Sequence, residues 1–134
     1  MRLHHVQVAC PVGGEDVARR FYVDGLGMTE VEKPSDLRGR GGLWVRDRGG
    51  AEVHVGVEEP FTPARKAHPA LVLDGVEELD GLAERLRDLG YDVDTSQRET
   101  FAGHLRFHTF DGHGNRVEVL AVADGILTGE VTRK

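Results

Sequence analysis

The sequence has little of several residue types, and each shortage excludes a class of protein. Among 134 residues there is a single cysteine, Cys10, so no disulfide forms within the chain, which fits a reducing cytoplasm. No stretch approaches the roughly 20 consecutive apolar residues of a membrane span. The start, Met1–His5, is too polar for a signal peptide. We therefore expect a cytoplasmic protein that makes no use of a membrane.

Positive charge is also in short supply. The chain carries 17 Lys and Arg residues against 23 Asp and Glu residues, a formal net charge of −6. Proteins that bind nucleic acid usually carry a net positive charge, so this partner is not expected. The chain is instead rich in glycine, with 18 residues, and in histidine, with seven. The scattered glycines indicate tight turns between short elements, and the histidines are candidates for chemistry.

The hydrophobic pattern divides the chain into two similar halves, each with a strand, a helix and three further strands. In the first half we predict strands at 3–9, 28–32, 43–46 and 52–57 and a helix that begins at Glu15 and ends at Gly25 or Gly27. In the second half we predict strands at 68–73, 91–94, 104–110 and 116–122 and a helix ending at Gly90. Asp74 is predicted to cap this second helix, with Glu77 completing a capping box.

The two halves are interpreted as two modules of one domain that spans residues 1–134. Module 1 covers about residues 3–58 and module 2 about residues 67–123, each with the order β-α-β-β-β. A proline-containing linker at about 59–66 joins them, and a tail at 124–134 is left unassigned. Neither module alone offers enough apolar core, so the two are expected to pack on one another.

Equal spacings support a duplication. His5 and His68 each precede a Leu-Gly pair by the same interval, and the interval from His5 to His54 is one residue shorter than that from His68 to Glu118. The four residues therefore fall at equivalent places, on the first and last strands of the two modules. All four have side chains that can bind a metal.

Three segments carry a resemblance to a known family: HVQVA at His5–Ala9, FYVDGLGM at Phe21–Met28 and DGHGNRVE at Asp111–Glu118. Together they resemble the vicinal oxygen chelate superfamily, which contains glyoxalase I, extradiol dioxygenases, methylmalonyl-CoA epimerase and the fosfomycin and bleomycin resistance proteins. The resemblance implies an α+β fold in which two βαβββ modules form a cupped, incompletely closed mixed sheet. It also implies that this sheet holds a divalent metal.

The resemblance also implies the metal ligands, which in the family come from the first and last strands of each module. Here those positions hold His5, His54, His68 and Glu118, and the ion would be Fe, Mn, Ni, Co or Zn. Glyoxalase-like members generally carry glutamate in place of His54, and dioxygenase and fosfomycin types use three protein ligands, so a set without His54 stays open. His108 is a candidate proton shuttle, with a surface histidine on a hairpin as the alternative.

The implied function is that of a glyoxalase-like lyase or isomerase that acts on a small substrate with two adjacent oxygens. Such a substrate would chelate the metal through both oxygens while Glu118 or His108 moves a proton. Three alternatives stay open: a non-catalytic binding protein of the bleomycin-resistance type, a fosfomycin-type transferase and an extradiol-type dioxygenase. Family members commonly form dimers, so a homodimer is expected, with the modules paired either within a chain or across the dimer.

Overall fold

Each half of the chain is built around its own four-stranded mixed sheet in the computed structural model, which describes residues 1–123. Unit 1 comprises Met1–Ala67 together with Asp111–Arg116. Among the described residues, unit 2 comprises His68–Phe110 and residues 117–123. Both units follow the order β-α-β-β-β, which confirms the predicted α+β class with two βαβββ modules. The tail predicted at 124–134 lies outside the described residues.

Unit 1 contains four strands and a short helix. These elements are β1 (Val6–Cys10), α1 (Glu15–Arg19), β2 (Thr29–Val31), β3 (Leu43–Arg46) and β4 (Glu52–Val57). The strand order is β1-β4-β3-β2, with β1 and β4 parallel and the other pairs antiparallel. Helix α1 continues into a π-helical segment at Arg20–Gly25, and a 3-10 helix that was not predicted occupies Ser35–Arg40.

The core of unit 1 follows from the two-residue period of its strands. On β4, Val53 and Val55 point to one face and are buried, while His54 between them points to the other face. The π-helical segment contributes Phe21 and Tyr22, which are also buried. The sheet of unit 1 therefore has an apolar face and a face that carries polar and aromatic side chains.

The turn at Asp111–Asn115, which connects the strands predicted at 104–110 and 116–122, is anchored in unit 1 by hydrogen bonds of the buried Asn115 side chain. The Asn115 carboxamide donates to the carbonyl of Ala9 (2.8 Å) and to Oδ2 of Asp111 (2.9 Å), and it accepts from the N–H of Ala64 (2.9 Å). The Tyr22 hydroxyl donates to the same Asp111 oxygen (3.0 Å). Burial, assisted by the charge of Asp111, raises the pKa of Tyr22, so this hydroxyl stays a hydrogen-bond donor.

Unit 2 repeats the plan with a longer helix. Its elements are β5 (Ala70–Val72), α2 (Val76–Asp88), β6 (Val93–Asp94), β7 (His104–Phe110) and β8 (Arg116–Val122). The strand order is β5-β8-β7-β6, with β5 and β8 parallel. Helix α2 packs against β6 and β7 and buries Leu79, Leu82 and Leu86 along one stripe. Within residues 1–123, no helix is long and apolar enough to cross a membrane.

The start of α2 differs from the predicted capping box. The N-cap is Gly75 instead of Asp74, and no side chain caps the helix there. Because the helix begins one residue later than predicted, Glu78 takes the third helical position instead of Glu77. Its Oε1 accepts a hydrogen bond from the backbone N–H of Asp74 (3.0 Å).

The strand boundaries agree with the prediction at β3, β4, β7 and β8. The first strand of each unit is shorter than predicted, since β1 begins at Val6 and β5 at Ala70. As a result His5 lies directly before β1, and His68 is separated from β5 by Pro69, instead of either lying within its strand.

Candidate metal centre

The strand register places the four predicted ligands at equivalent positions in the two units. In unit 1, the β1 residue opposite His54 lies two positions after His5. In unit 2, the β5 residue opposite Glu118 lies two positions after His68. The duplication inferred from sequence spacing is therefore repeated in the hydrogen-bonded pairing of each sheet.

Two imidazoles of unit 2 approach one oxygen of the Glu118 carboxylate. Nε2 of His68 lies 3.0 Å from Oε1 of Glu118, and Nε2 of His108 lies 3.4 Å from the same oxygen. One potential ligand atom from each of the three residues lies within 4.8 Å of the other two. Among residues 1–123 this is the one group of three or more such side chains that meets this criterion. The structure thus unites two predicted ligands with the predicted proton shuttle.

The two-residue period of β7 and β8 explains why these side chains share a face. On β7, Arg106 and His108 point to one side and Phe107 between them is buried on the other. On the adjacent strand β8, Glu118 lies on the polar side while Val119 is buried on the apolar side. Arg106, His108 and Glu118 therefore all lie on the polar face of the unit 2 sheet.

Glu118 is a buried carboxylate in a cationic and polar environment. It is 4% exposed and His108 is 2% exposed, whereas His68 is partly accessible. Burial is the largest single influence and raises the pKa of Glu118. Hydrogen bonds from His68 and Arg106 and the charge of Arg106 outweigh it, and the pKa falls below its ordinary value. Glu118 is therefore ionised at neutral pH and able to act as a ligand.

His5 and His54 meet in unit 1 as stacked rings. Their ring centroids are 3.9 Å apart with 17° between the planes, and the Trp44 ring stacks on His54 at 3.8 Å and 1°. Nε2 of His54 lies 2.7 Å from Oε2 of Glu52. Burial lowers the pKa of His54, and although the hydrogen bond to Glu52 opposes this, the net shift is downward. His54 is therefore a neutral imidazole held between polar and aromatic neighbours.

Glu52 fixes the tautomer of His54. Hydrogen bonds from His54 and from Arg46 (2.8 Å) lower the pKa of Glu52 to about 2. Because an ionised carboxylate only accepts hydrogen bonds, the neutral His54 ring carries its proton on Nε2. Nδ1 is then the ring nitrogen with a free lone pair, in the arrangement that metal-binding histidines commonly have with a carboxylate.

Sequence reasoning missed Glu52 and Arg106 as partners of the predicted site residues. The alternation of β7 already placed Arg106 on the face of His108, and that of β4 placed Glu52 on the face of His54. Side-chain alternation was the only feature of the sequence that could have indicated Glu52 and Arg106. It does not show that Arg106 binds Glu118 or that Arg46 binds Glu52.

The donor set of unit 2 fits a divalent transition metal. Two imidazoles and one carboxylate suit Fe, Mn, Co, Ni or Zn, and they leave further coordination positions for water or substrate. His68 and Glu118 are brought together as predicted, and His5 and His54 are brought together in unit 1. The set of four ligands remains a prediction.

Comparison with known proteins links the chain to one family. Residues 2–119 match the family model of the Glyoxalase/Bleomycin resistance protein/Dioxygenase superfamily. A crystal structure from Bacillus anthracis, described as a glyoxalase family protein, is 38% identical, with a TM-score of 0.82 over 91% of this chain and 95% of that one. None of the curated proteins matches the chain.

Two more distant structures share the fold alone. TnmS3, an antibiotic binding protein from Streptomyces sp. CB03234, is 23% identical, with a TM-score of 0.66 over 91% of this chain and 98% of that one. A variant of the fosfomycin resistance protein FosX from Listeria monocytogenes, complexed with Mn(II) and 1S,2S-dihydroxypropylphosphonic acid, is 14% identical. Its TM-score is 0.74 over 96% of this chain and 97% of that one. These likenesses confirm the predicted fold class.

Proposed function

Because the chain belongs to the glyoxalase/bleomycin resistance protein/dioxygenase superfamily, we propose that it is a metal-dependent, glyoxalase-like lyase or isomerase. Its substrate would be a small molecule with two adjacent oxygens. The observation that carries this proposal is the meeting of His68, His108 and Glu118 in unit 2, with ligand atoms within 4.8 Å of one another. Two imidazoles beside one buried carboxylate form a donor set that suits a divalent transition metal.

In this proposal His68 and Glu118 hold a divalent metal, with His5 and His54 as further ligands. The Mn(II) in the FosX structure supports a divalent ion of this kind. Such an ion, when bound, supplies a Lewis acid that stabilises negative charge developing on a substrate oxygen, an effect worth several kcal/mol. The free Nδ1 of His54 is the atom that would serve as its ligand.

His108 is the group proposed to move the proton. Imidazole gains and loses a proton near neutral pH, whereas the lowered pKa of Glu118 makes that carboxylate a weak base. His108 would take a proton from one substrate atom and return it to the neighbouring atom. Such a transfer needs no second reactant, which suits an isomerisation or a lyase reaction.

We also propose that the protein is a homodimer located in the cytoplasm. Dimers are common in the family, and the single cysteine, Cys10, is a buried free thiol. Light scattering should give a mass close to twice the 14.7 kDa of the chain. A mass of 14.7 kDa at all concentrations would overturn the dimer.

The metal content of protein purified without a histidine tag tests the function. We expect nearly one bound ion per chain after loading with Mn, Fe, Co, Ni or Zn. The Glu118→Gln variant keeps the shape of the side chain but should bind the ion more than about 100-fold more weakly, beyond the 10–100-fold typical of residues that only support ligands. Glu99→Gln, which changes an exposed carboxylate of the same unit, is the matched control.

If the wild type binds none of these metals at any concentration, the proposal that the protein is a metal-dependent enzyme is contradicted. That result would favour a sequestering protein of the bleomycin-resistance type.

The His108→Gln variant distinguishes two roles of His108, proton transfer and metal binding, which belong to different reactions. If His108 moves the proton, the variant should keep its metal and lose turnover by about 10²–10⁴-fold on the best substrate from a panel of α-hydroxycarbonyl compounds. If the variant loses its metal, His108 is a ligand. The set of two histidines and one carboxylate is typical of non-haem Fe(II) oxygenases, so that result would favour the dioxygenase alternative.

A further inference from the structure

We propose that Arg106 is a positioning residue that holds Glu118 in its metal-binding orientation and links that orientation to the order of the β6–β7 loop, residues 95–103. The inference rests on the metal site of the proposed function. It adds a residue that acts through Glu118 and a loop that responds to the metal.

The guanidinium of Arg106 uses three nitrogens on three partners in unit 2. Nη1 donates to Oε2 of Glu118 (3.2 Å), Nη2 donates to Oγ1 of Thr100 (2.8 Å) and Nε donates to the carbonyl of Gln97 (3.2 Å). The Arg106 side chain is only 18% exposed, so its bond to the buried Glu118 is shielded from water more than that of a surface arginine, whereas its bonds to Thr100 and Gln97 are exposed. One side chain thus joins the carboxylate to two points of the β6–β7 loop.

The backbone and an aromatic ring strengthen this attachment of the loop. The N–H of Arg106 donates to the carbonyl of Arg98 (3.1 Å), and the guanidinium carbon lies 5.6 Å from the centre of the Phe101 ring. Thr100 also donates from Oγ1 to the carbonyl of Gln97 (3.0 Å), which closes the turn that Arg106 binds. The β6–β7 loop is therefore organised around Arg106.

The same contacts give the two oxygens of Glu118 different tasks. Oε2 is held by Arg106, while Oε1 faces the Nε2 atoms of His68 and His108. A carboxylate held on one oxygen cannot turn freely, so Glu118 offers Oε1 to the metal and keeps Oε2 on the arginine. A lysine at position 106 has the charge but lacks the planar fork that reaches three partners at once.

Coupling of this kind acts in both directions. An ion on Oε1 of Glu118 restricts the carboxylate and with it the guanidinium that holds the β6–β7 loop. A loop that is released from Arg106 in turn leaves Glu118 free to rotate. Metal binding and loop order should therefore change together, and the exposed ring of Phe101 would be positioned next to a loaded site.

Metal titration by calorimetry with Mn²⁺ or Co²⁺ tests the positioning role. Arg106→Lys should weaken metal affinity by about 10–100-fold, as expected for a residue that orients a ligand. The matched control is Arg98→Lys in the same loop, whose guanidinium pairs instead with Asp80 on α2 (3.0 Å), and it should stay within about twofold of the wild type. If Arg106 acted only as a charge, Arg106→Lys would bind like the wild type and Arg106→Gln would bind more tightly, which would overturn the inference.

Amide hydrogen exchange provides a second test of the coupling between metal and loop, and this test can be carried out on the wild type. Metal should slow exchange in the β6–β7 loop of the wild type by at least about threefold, and this response should disappear in Arg106→Gln. An unchanged loop in metal-loaded wild type would overturn the inference even if the Arg106 variants fail to fold. A wild type that binds no metal would overturn both this inference and the proposed function. Normal metal binding by Arg106→Lys would overturn the inference alone.

Discussion

Two carboxylates of this protein, Glu52 and Glu118, each accept hydrogen bonds from one histidine and one arginine. Glu52 is bonded to His54 and Arg46, and Glu118 to His68 and Arg106. In both cases the pKa is lowered, so the carboxylate is charged at neutral pH. The same combination of residue types thus serves two tasks, since Glu52 orients a histidine while Glu118 is itself a candidate ligand.

Glu52 should make folding stability depend on pH. The pKa of Glu52 is about 2 in the folded state, below its ordinary value of 4.5, so its contribution is complete above pH 4.5 and is lost as the pH falls toward 2. Glu52→Gln should reduce the free energy of unfolding by about 1.5 kcal/mol at pH 7, and the difference from the wild type should shrink below pH 4.5. Urea denaturation at a series of pH values measures both.

The exposed residue Glu58, next to the end of β4, provides the control for this experiment. Glu58→Gln should change stability by less than about 0.5 kcal/mol. A Glu52→Gln difference that stays constant from pH 7 to pH 3 would contradict the assigned role of the carboxylate.

At the residue scale the sequence identified the candidate ligands but not the side chains that hydrogen-bond to them. The spacing of His68 and Glu118 indicated that they occupy equivalent positions to His5 and His54, and the family resemblance implied that their side chains meet; they lie 3.0 Å apart. The contact between Arg106 and Glu118 depends on the strand order β8-β7 and on the course of the β6–β7 loop, neither of which leaves a pattern within a single strand. Side-chain alternation predicts a face, whereas partners on that face are set by tertiary structure.

At the scale of elements, the turn at Asp111–Asn115 shows how a local motif acquires a distant function. It forms the short connection between β7 and β8, the two strands predicted at 104–110 and 116–122. The Asn115 side chain also binds Ala9 and Ala64, residues that are far away in the sequence. Within the segment Asp111–Glu118, which carries a family resemblance, Asn115 therefore has a structural role in unit 1. No local pattern could have indicated those partners.

Replacement of Asn115 should be costly for stability. Asn115→Ala removes the hydrogen bonds that this buried side chain makes with Ala9, Ala64 and Asp111. We expect a loss of about 2–4 kcal/mol in the free energy of unfolding, measured by urea denaturation. Ser96→Ala, in an exposed turn, should cost less than about 0.5 kcal/mol. If both variants lower the free energy of unfolding by the same small amount, the hydrogen bonds of Asn115 contribute little to stability.

At the scale of the whole molecule, the chain contains two βαβββ units that carry different residues at equivalent positions. Register places His54 in unit 1 where unit 2 has Glu118, and both lie on the polar face of their sheet. Hydrophobic alternation predicted this architecture because each strand needs one apolar face for its own core. The reaction could not be predicted in the same way, because substrate choice depends on loops whose conformation the pattern does not encode.

The central claim is that Glu118 and His68 bind a common metal ion. Anomalous scattering from crystals of the metal-loaded protein tests it most directly. We predict a peak about 2.0–2.3 Å from Oε1 of Glu118 and from a ring nitrogen of His68, in place of their present 3.0 Å hydrogen bond. Metal-loaded crystals in which that hydrogen bond persists and no peak lies near either side chain would contradict the account.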